Sequence, residues 1–240
     1  MSRVIALVSG AEAREFDTDL PYLSRALGDR GIITEVVDWD NSAVDWSRYS
    51  MAIVRSPWDY HRRYPEFLAW LDSVSAATTL QNSADIIRWN TNKEYLAELV
   101  EAQIGVIPTT FVRSAEELVT ITNEGMLERD IVVKPTISAG SNNTERHEES
   151  PVKAAAHLGF LLDAGFVAMV QPYQRFIDER GETGMVYFNG QLSHSFRKGA
   201  ILATGENVKN GLFTVEEIAP RTASGQEREL GEAVMTFVKK

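Results

Sequence analysis

Asn189-Gly190 is the tightest local constraint in the chain. It is the favoured pair for a two-residue type I′ hairpin, a turn in which both central residues need positive φ. The flanking stretches Glu182–Phe188 and Gln191–Lys198 are therefore predicted to be antiparallel strands. Pairing outward from the turn sets Phe188 against Gln191, Val186 against Ser193 and Glu182 against Arg197. One face of this ribbon then carries an opposed carboxylate and guanidinium, and Lys198 points to the other face.

The first third of the chain has a different pattern. Arg3–Ser9 is a short apolar run suited to a buried parallel strand. Leu20, Leu23, Ala26 and Leu27 share a helical face before the stop at Gly31. Ile32–Trp39 and Met51–Arg55 are predicted strands, and Pro65 opens a helix that buries Phe67, Leu68, Leu71 and Val74. Thr78–Gln81 completes a small open parallel sheet. Such sheets put ligand loops at their strand C-termini, where Arg55, Asp59, Tyr60 and His61 fall. Trp39, Trp46, Trp58, Trp70 and Trp89 all lie in this part and are expected to anchor packing.

Between these regions a helix is predicted from about Thr91 to Gln103, then a strand Val106–Val112 and a helix opened by the capping box Ser114/Glu117. Ile131–Lys134 reads as a strand ending at Pro135, and Thr136–Glu145 as a loop. Ser150-Pro151 opens a helix that ends at Gly165, and Val167–Gln171 is a further strand. After the hairpin, Gly205–Gly211 is expected to be a loop and Leu212–Ile218 a strand. A last helix starts at the capping box Ser224/Glu227 and runs to Lys240.

Charge and composition exclude several functions. The 24 Lys and Arg against 34 Asp and Glu leave a net charge of −10, which opposes nucleic-acid binding by a broad basic face. A small anion needs only a few placed cations and backbone N–H groups, so it remains allowed. No apolar run reaches membrane-spanning length, and there is no Cys for a disulfide or a thiolate-bound metal. A cytoplasmic protein that touches neither nucleic acid nor membrane is expected. Ser9-Gly10-Ala11-Glu12-Ala13 lacks the G-x-G-x-x-G spacing of a dinucleotide-binding oxidoreductase, and no G-x-S-x-G elbow is present. His61, His147, His157 and His194 show no metal-ligand spacing; His194 reads as a sheet residue and the others as surface.

Four groups of residues could carry chemistry. Lys134 ends a buried strand and leads into Ser138, Ala139 and Gly140; an ammonium beside a small-residue loop can hold a phosphate, although surface Lys and Gly/Ser linkers are common. Lys93 sits at the start of a predicted helix, where the macrodipole disfavours a cation unless an anion shares the site. Gln171-Pro172-Tyr173 ends a strand whose backbone groups could meet a purine edge, with Glu179 and Glu182 within reach of ribose hydroxyls. Arg197 either forms a cross-strand ion pair or clamps a phosphoryl or carboxylate group.

In this order the motifs resemble the ATP-grasp superfamily. The stretches Val54–His61, Ile87–Asn90 and Leu192–Lys198 are similar to the branch that includes O-ureido-serine cyclo-ligase, the cycloserine-forming cyclo-ligase. The resemblance implies an α+β chain, a two-lobe ATP-grasp fold preceded by a small Rossmann-like α/β domain, divided as 1–85, 86–173 and 174–240. It implies ATP and Mg2+ as cofactors and a carboxylate–amine ligase that proceeds through an acyl phosphate. Lys93 and Lys134 would hold phosphates under a loop of Ser138, Ala139 and Gly140. Gln171 and Tyr173 would offer backbone groups to adenine, and Glu182 would reach the ribose. Arg197 and Lys198 would face the transferred phosphoryl group, and Arg55, Asp59, Tyr60 and His61 would hold an amino-acid-like carboxylate substrate. Self-association into a homo-oligomer is left open. Family members carry their magnesium ligands on strands after the last helix seen here, so those ligands are expected beyond Lys240 and the C-terminal lobe is expected to be incomplete. A chain truly without them would instead be a nucleotide-binding or regulatory module.

Overall fold

The computed structural model describes residues 4–200 and 217–239. The chain divides into two compact units, Met1–Thr91 and Asn92–Lys240. Among the described residues no helix is long and apolar enough to cross a membrane.

The first unit runs β1 (Val4–Ser9), α1 (Leu20–Gly28), β2 (Ile33–Asp38), β3 (Met51–Ser56), α2 (Tyr64–Ala77), β4 (Leu80–Gln81) and α3 (Ala84–Thr91). Its strands form a parallel sheet in the order β2-β1-β3-β4, as the alternation of strands and helices predicts. β1 lies inside, with Ala6, Leu7 and Val8 fully buried, which is why it reads as an unbroken apolar run. On one side Trp39, Trp46, Phe67 and Trp70 join Leu71 and Val74 in a single core. Phe67 stacks on Trp70 at 5.3 Å and meets the edge of Trp39 at 5.3 Å. Trp39, Trp46 and Trp70 are therefore packing anchors, each worth a few kcal/mol of burial.

The second unit continues through α4 (Tyr95–Glu101), β5 (Thr110–Val112), α5 (Ala115–Asn123), β6 (Ile131–Pro135), β7 (Glu145–His147), α6 (Pro151–Asp163) and β8 (Ala168–Pro172). These strands form an antiparallel sheet in the order β5-β8-β6-β7. Period-two alternation gives it two unlike faces. Ile131, Val133, Ala168 and Val170 face α5 and α6, where Leu158 and Leu161 are fully buried. Val132, Lys134 and Gln171 face the other way.

Four expectations are corrected here. The helix expected from about Thr91 to Gln103 shortens to α4 at Tyr95–Glu101, with α3 ending at Thr91, because the Asn92 side chain accepts from Glu94 N–H (3.2 Å) and competes with the helical pattern. Lys93 therefore lies in a tight link before α4. The strand expected from Val106 starts only at Thr110, since Pro108 has no N–H and the Thr109 hydroxyl turns back to donate to the Ile107 carbonyl (2.8 Å). The segment Thr136–Glu145 holds a loop only as far as Thr144, after which β7 begins. The capping box at Ser114 is half made: Ser114 Oγ accepts from Glu117 N–H (3.2 Å), but the Glu117 carboxylate accepts from Arg113 N–H (2.6 Å).

Next come α7 (Phe176–Arg180), β9 (Glu182–Phe188), β10 (Gln191–Lys198), β11 (Ile218–Pro220) and α8 (Gly225–Val238). The three strands form a sheet in the order β11-β10-β9. Helix α7 has too few turns to show an apolar period. The expected loop at Gly205–Gly211 and most of the strand Leu212–Ile218 lie outside the described residues. The reciprocal capping box of Ser224 and Glu227 is complete in α8.

The Asn189-Gly190 turn forms as expected, with φ +50 and +75, and Phe188 does pair with Gln191. The register beyond it is different. A bulge between Leu192 and His194 leaves Ser193 without an opposite residue, so Val186 meets His194, Thr183 meets Arg197 and Glu182 meets Lys198. That one-residue slip moves Lys198, and not Arg197, onto the face of Glu182.

Candidate functional site

The second unit encloses a cavity of about 320 Å³. Lys93 and Lys134 line it together with the loop residues Ser138, Ala139 and Gly140. Gln171, Tyr173 and Glu182 close its other side, and Lys198 joins them. Residues from five separate parts of the chain thus meet on one space.

Each arrives there for a local reason. Lys134 follows Val132 on the open face of β6, one residue out of phase with the core residues Ile131 and Val133. Lys93 is tethered by its link: its N–H donates to Thr136 O (3.0 Å), and its ammonium donates to Thr136 O (3.2 Å) and Ser138 O (3.0 Å). The covering loop bends through positive φ at Gly140, Ser141 and Asn143. Gly181, at φ +66, lets β9 start beside β10, because a Cβ there would lie 2.2 Å from the Lys198 carbonyl oxygen. Glu182 follows directly.

The electrostatics are those of an anion site. Burial pushes the Lys93 ammonium down to about 8, and the nearby Lys134 charge pushes the same way. Burial also lowers Lys134, partly offset by the Glu182 carboxylate. Two converging, half-desolvated ammonium groups repel one another, and a polyanion between them would relieve both effects.

Tyr173 is braced from behind. The Arg146 guanidinium lies 3.6 Å over its ring and pairs with Asp130 at 2.9 Å, with side-chain exposures of only 9% and 10%. Arg146 holds the Asp130 carboxyl below the usual range. Burial and the bond to Asp178 push the Tyr173 hydroxyl up to about 12. The Tyr173 N–H donates to Asp130 O at 2.9 Å, so of its backbone groups the carbonyl is the one left for the cavity. The Gln171 side chain donates to Thr109 Oγ1 (2.8 Å).

Arg197 does not line the cavity. The bulge turns it to the reverse face, where its Nε donates to Arg180 O (3.0 Å) and it pairs with Glu217 (3.7 Å). Glu179 lies in a separate groove with Asp130 and Arg146. The apolar walls Ile107, Val132 and Ile177 were missed from the sequence. The alternation with Lys134 marks Val132 on β6, whereas Ile177 sits on the unforeseen α7.

In the first unit, the residues expected to bind substrate gather around the ends of β1 and β3. Arg55 makes two hydrogen bonds to Asp17, at 2.7 and 3.2 Å. Burial alone would raise the Asp17 carboxyl, but the Arg55 and Ser56 hydrogen bonds outweigh it and hold the group low. Asp59 accepts from Trp39 Nε1 (3.0 Å) and Arg63 (3.0 Å). Gly10 packs closely against it: a Cβ there would lie 2.5 Å from Asp59 Oδ1 and the carboxylate would have to shift. Tyr60 packs against Phe67 at 5.3 Å, and His61 Nδ1 lies 3.1 Å from the Trp58 carbonyl oxygen. His147 and His157 are not surface residues: they are 4% and 8% exposed and in contact with each other. Their positions on β7 and on the buried stripe of α6 account for this.

A family model described as the N-terminal domain of D-cycloserine synthetase DcsG matches residues 5–82. The cycloserine biosynthesis protein DcsG of Streptomyces lavendulae is 37% identical over 237 residues, covering 97% of this chain and 79% of that protein. A crystal structure of D-cycloserine synthetase DcsG superposes with a TM-score of 0.88 at 33% identity, covering 98% of this chain and 81% of that one. The fold is shared more widely. A D-alanine–D-alanine ligase from Bacillus anthracis in complex with ATP has a TM-score of 0.61 at 12% identity, covering 100% of this chain and 78% of that one. The chain belongs to the DcsG family of ATP-grasp ligases, and it is an enzyme of that ATP-dependent class.

Proposed function

We propose that the protein joins a carboxylate to an amine-type nucleophile by way of an acyl phosphate, with an amino-acid-like molecule as substrate. The observation that carries this reading is the meeting of Lys93 and Lys134 in one cavity with a small-residue loop. Their lowered ammonium groups fit a triphosphate, which restores the charge that burial opposes. Under this reading Ser138, Ala139 and Gly140 cover the phosphates, and backbone groups of Gln171 and the Tyr173 carbonyl meet adenine. The Tyr173 ring, held by Arg146, is the wall beside the base, and Glu182 accepts from ribose hydroxyls.

Lys198 is the cation facing the transferred group. Arg197 positions it from the reverse face of β10 through its bonds to Arg180 and Glu217. The substrate carboxylate oxygen attacks the γ-phosphorus and ADP departs with the bridging oxygen. The amine lone pair then attacks the acyl carbon, and inorganic phosphate leaves. Positioning and charge neutralisation supply the rate, so no nucleophilic side chain is needed.

Magnesium takes several oxygen ligands. Among the described residues the cavity lining offers one carboxylate, Glu182, so these residues alone do not build a magnesium site. Arg55, Asp59, Tyr60 and His61 are assigned to holding the second substrate, with Arg55 and Asp59 pre-set by their ion pairs. Lobes at 86–173 and 174–240, and cytoplasmic action where ATP is supplied, complete the proposal.

The test is ADP release by the full-length protein with amino-acid-like carboxylates, with hydroxylamine as a competing nucleophile. Carboxylate-dependent ADP release and a hydroxamate product are expected. Bound ATP with no ADP release under any carboxylate would favour a nucleotide-binding module instead.

A further inference from the structure

The sheet that presents Lys134 to the cavity carries a second cluster on its opposite face. Glu145 and His147 are two apart on β7 and so point the same way. His157 shares the buried stripe of α6 with Ala154, Leu158 and Leu161. His147 Nε2 and His157 Nδ1 are 3.2 Å apart, and Glu145 Oε2 lies 3.9 Å from each.

We propose that Glu145, His147 and His157 bind a divalent first-row transition-metal ion of the zinc class, with water completing the coordination. Ligand bonds of about 2.0–2.1 Å in a tetrahedral site put neighbouring ligand atoms about 3.3 Å apart. The two ring nitrogens already stand at that spacing. The carboxylate needs only a small shift, and its side chain is 53% exposed and able to make it.

An imidazole–imidazole hydrogen bond would also explain the 3.2 Å separation. The carboxylate oxygen 3.9 Å from both nitrogens adds the third donor that a shared ion needs and a histidine pair alone does not. Burial lowers both rings, so at neutral pH they are in the uncharged form that ligates metal. Lys153 is the cation acting on His147, and Glu145 is the anion acting on both rings. A hydrogen bond from the His157 ring to the Asn143 backbone supplies the outer contact that commonly orients a ligating histidine. Asn143 and Thr144 end the loop that lines the cavity. An ion here would tie the exit of that loop to α6.

The full chain, stripped with chelator, is titrated with ZnCl2 by calorimetry, and Co2+ is used for visible absorption. One Zn2+ per chain, a raised melting temperature and the d–d bands of a tetrahedral Co2+ site are expected. Excess Mg2+ should not displace the ion, because imidazole favours the softer metals. Glu145→Gln, at an exposed position that leaves folding intact, should weaken Zn2+ at least tenfold, while Glu149→Gln leaves it unchanged. His157→Gln should abolish the Co2+ spectrum. Absence of Zn2+ binding, or equal affinity in wild type and Glu145→Gln, would overturn the site and leave a hydrogen-bonded histidine pair.

Discussion

Nucleotide binding should take up a proton, and Lys93 sets how much. Burial and the Lys134 charge bring its ammonium to about 8 in the free chain. A triphosphate beside it would restore a value near the ordinary one. At pH 8.5 a group with pKa 8 is only about one-quarter protonated, so restoring it takes up roughly 0.75 proton per ATP. At pH 7 the same group is about nine-tenths protonated, and the uptake drops to roughly 0.1. Affinity should therefore weaken about tenfold between pH 7 and pH 9. The assay is calorimetry of ATP binding at pH 8.5 in two buffers of unlike ionisation enthalpy, where the nucleotide itself is fully ionised. Lys93→Arg keeps the charge and should lose most of the uptake. Buffer-independent heats for the wild type at pH 8.5 would refute the reasoning. The free protein responds with the opposite preference. Its Lys93 binds fewer protons folded than unfolded between pH 8 and the ordinary lysine value, so this group's contribution to stability rises with pH through that window.

Glu182→Ala should weaken ATP more than it weakens an analogue lacking both ribose hydroxyls; equal losses, measured by competition, would remove Glu182 from the ribose. Gly181→Ala combines positive φ with a Cβ 2.2 Å from the Lys198 carbonyl oxygen, and should cost at least ~1–2 kcal/mol in urea denaturation. A wild-type midpoint would contradict that geometry. Asp130→Ala removes the two hydrogen bonds that fix the Arg146 guanidinium, leaving it Glu148 (2.8 Å) and Asp178 (3.7 Å), and should cost ~1–3 kcal/mol. It should also weaken ATP by releasing the Tyr173 ring; unchanged affinity would show that the brace does not serve the site.

Much of this architecture could be read from the residues because local signals agreed with tertiary needs. The parallel sheet of the first unit follows from strands alternating with helices around the buried apolar run of β1, and Asn189-Gly190 names its own turn. Convergence of Lys93 and Lys134 was suggested only by family resemblance, since no local pattern brings positions 93 and 134 together. The misreadings are short-range competitions that no period reveals. The Asn92 side chain interrupts a helix, and Ser193 slips a register so that Lys198 replaces Arg197. His147 and His157 look scattered because no strand signal marks the stretch between the loop ending at Glu145 and the helix opening at Ser150-Pro151. Only the pairing of Ile131 with His147 shows that it is a strand. Arg146 escaped notice for the same reason.

The central claim is that Lys93 and Lys134 share one triphosphate. A double-mutant cycle of ATP affinity, by calorimetry on wild type, Lys93→Ala, Lys134→Ala and the double variant, tests it most directly. Each single change should weaken ATP by about thirtyfold or more, as expected for a charge-assisted contact in a partly desolvated site. The combined loss should differ from the product of the two, because the lysines act on one anion. Unchanged affinity in either single variant, with circular dichroism unaltered, would contradict the account.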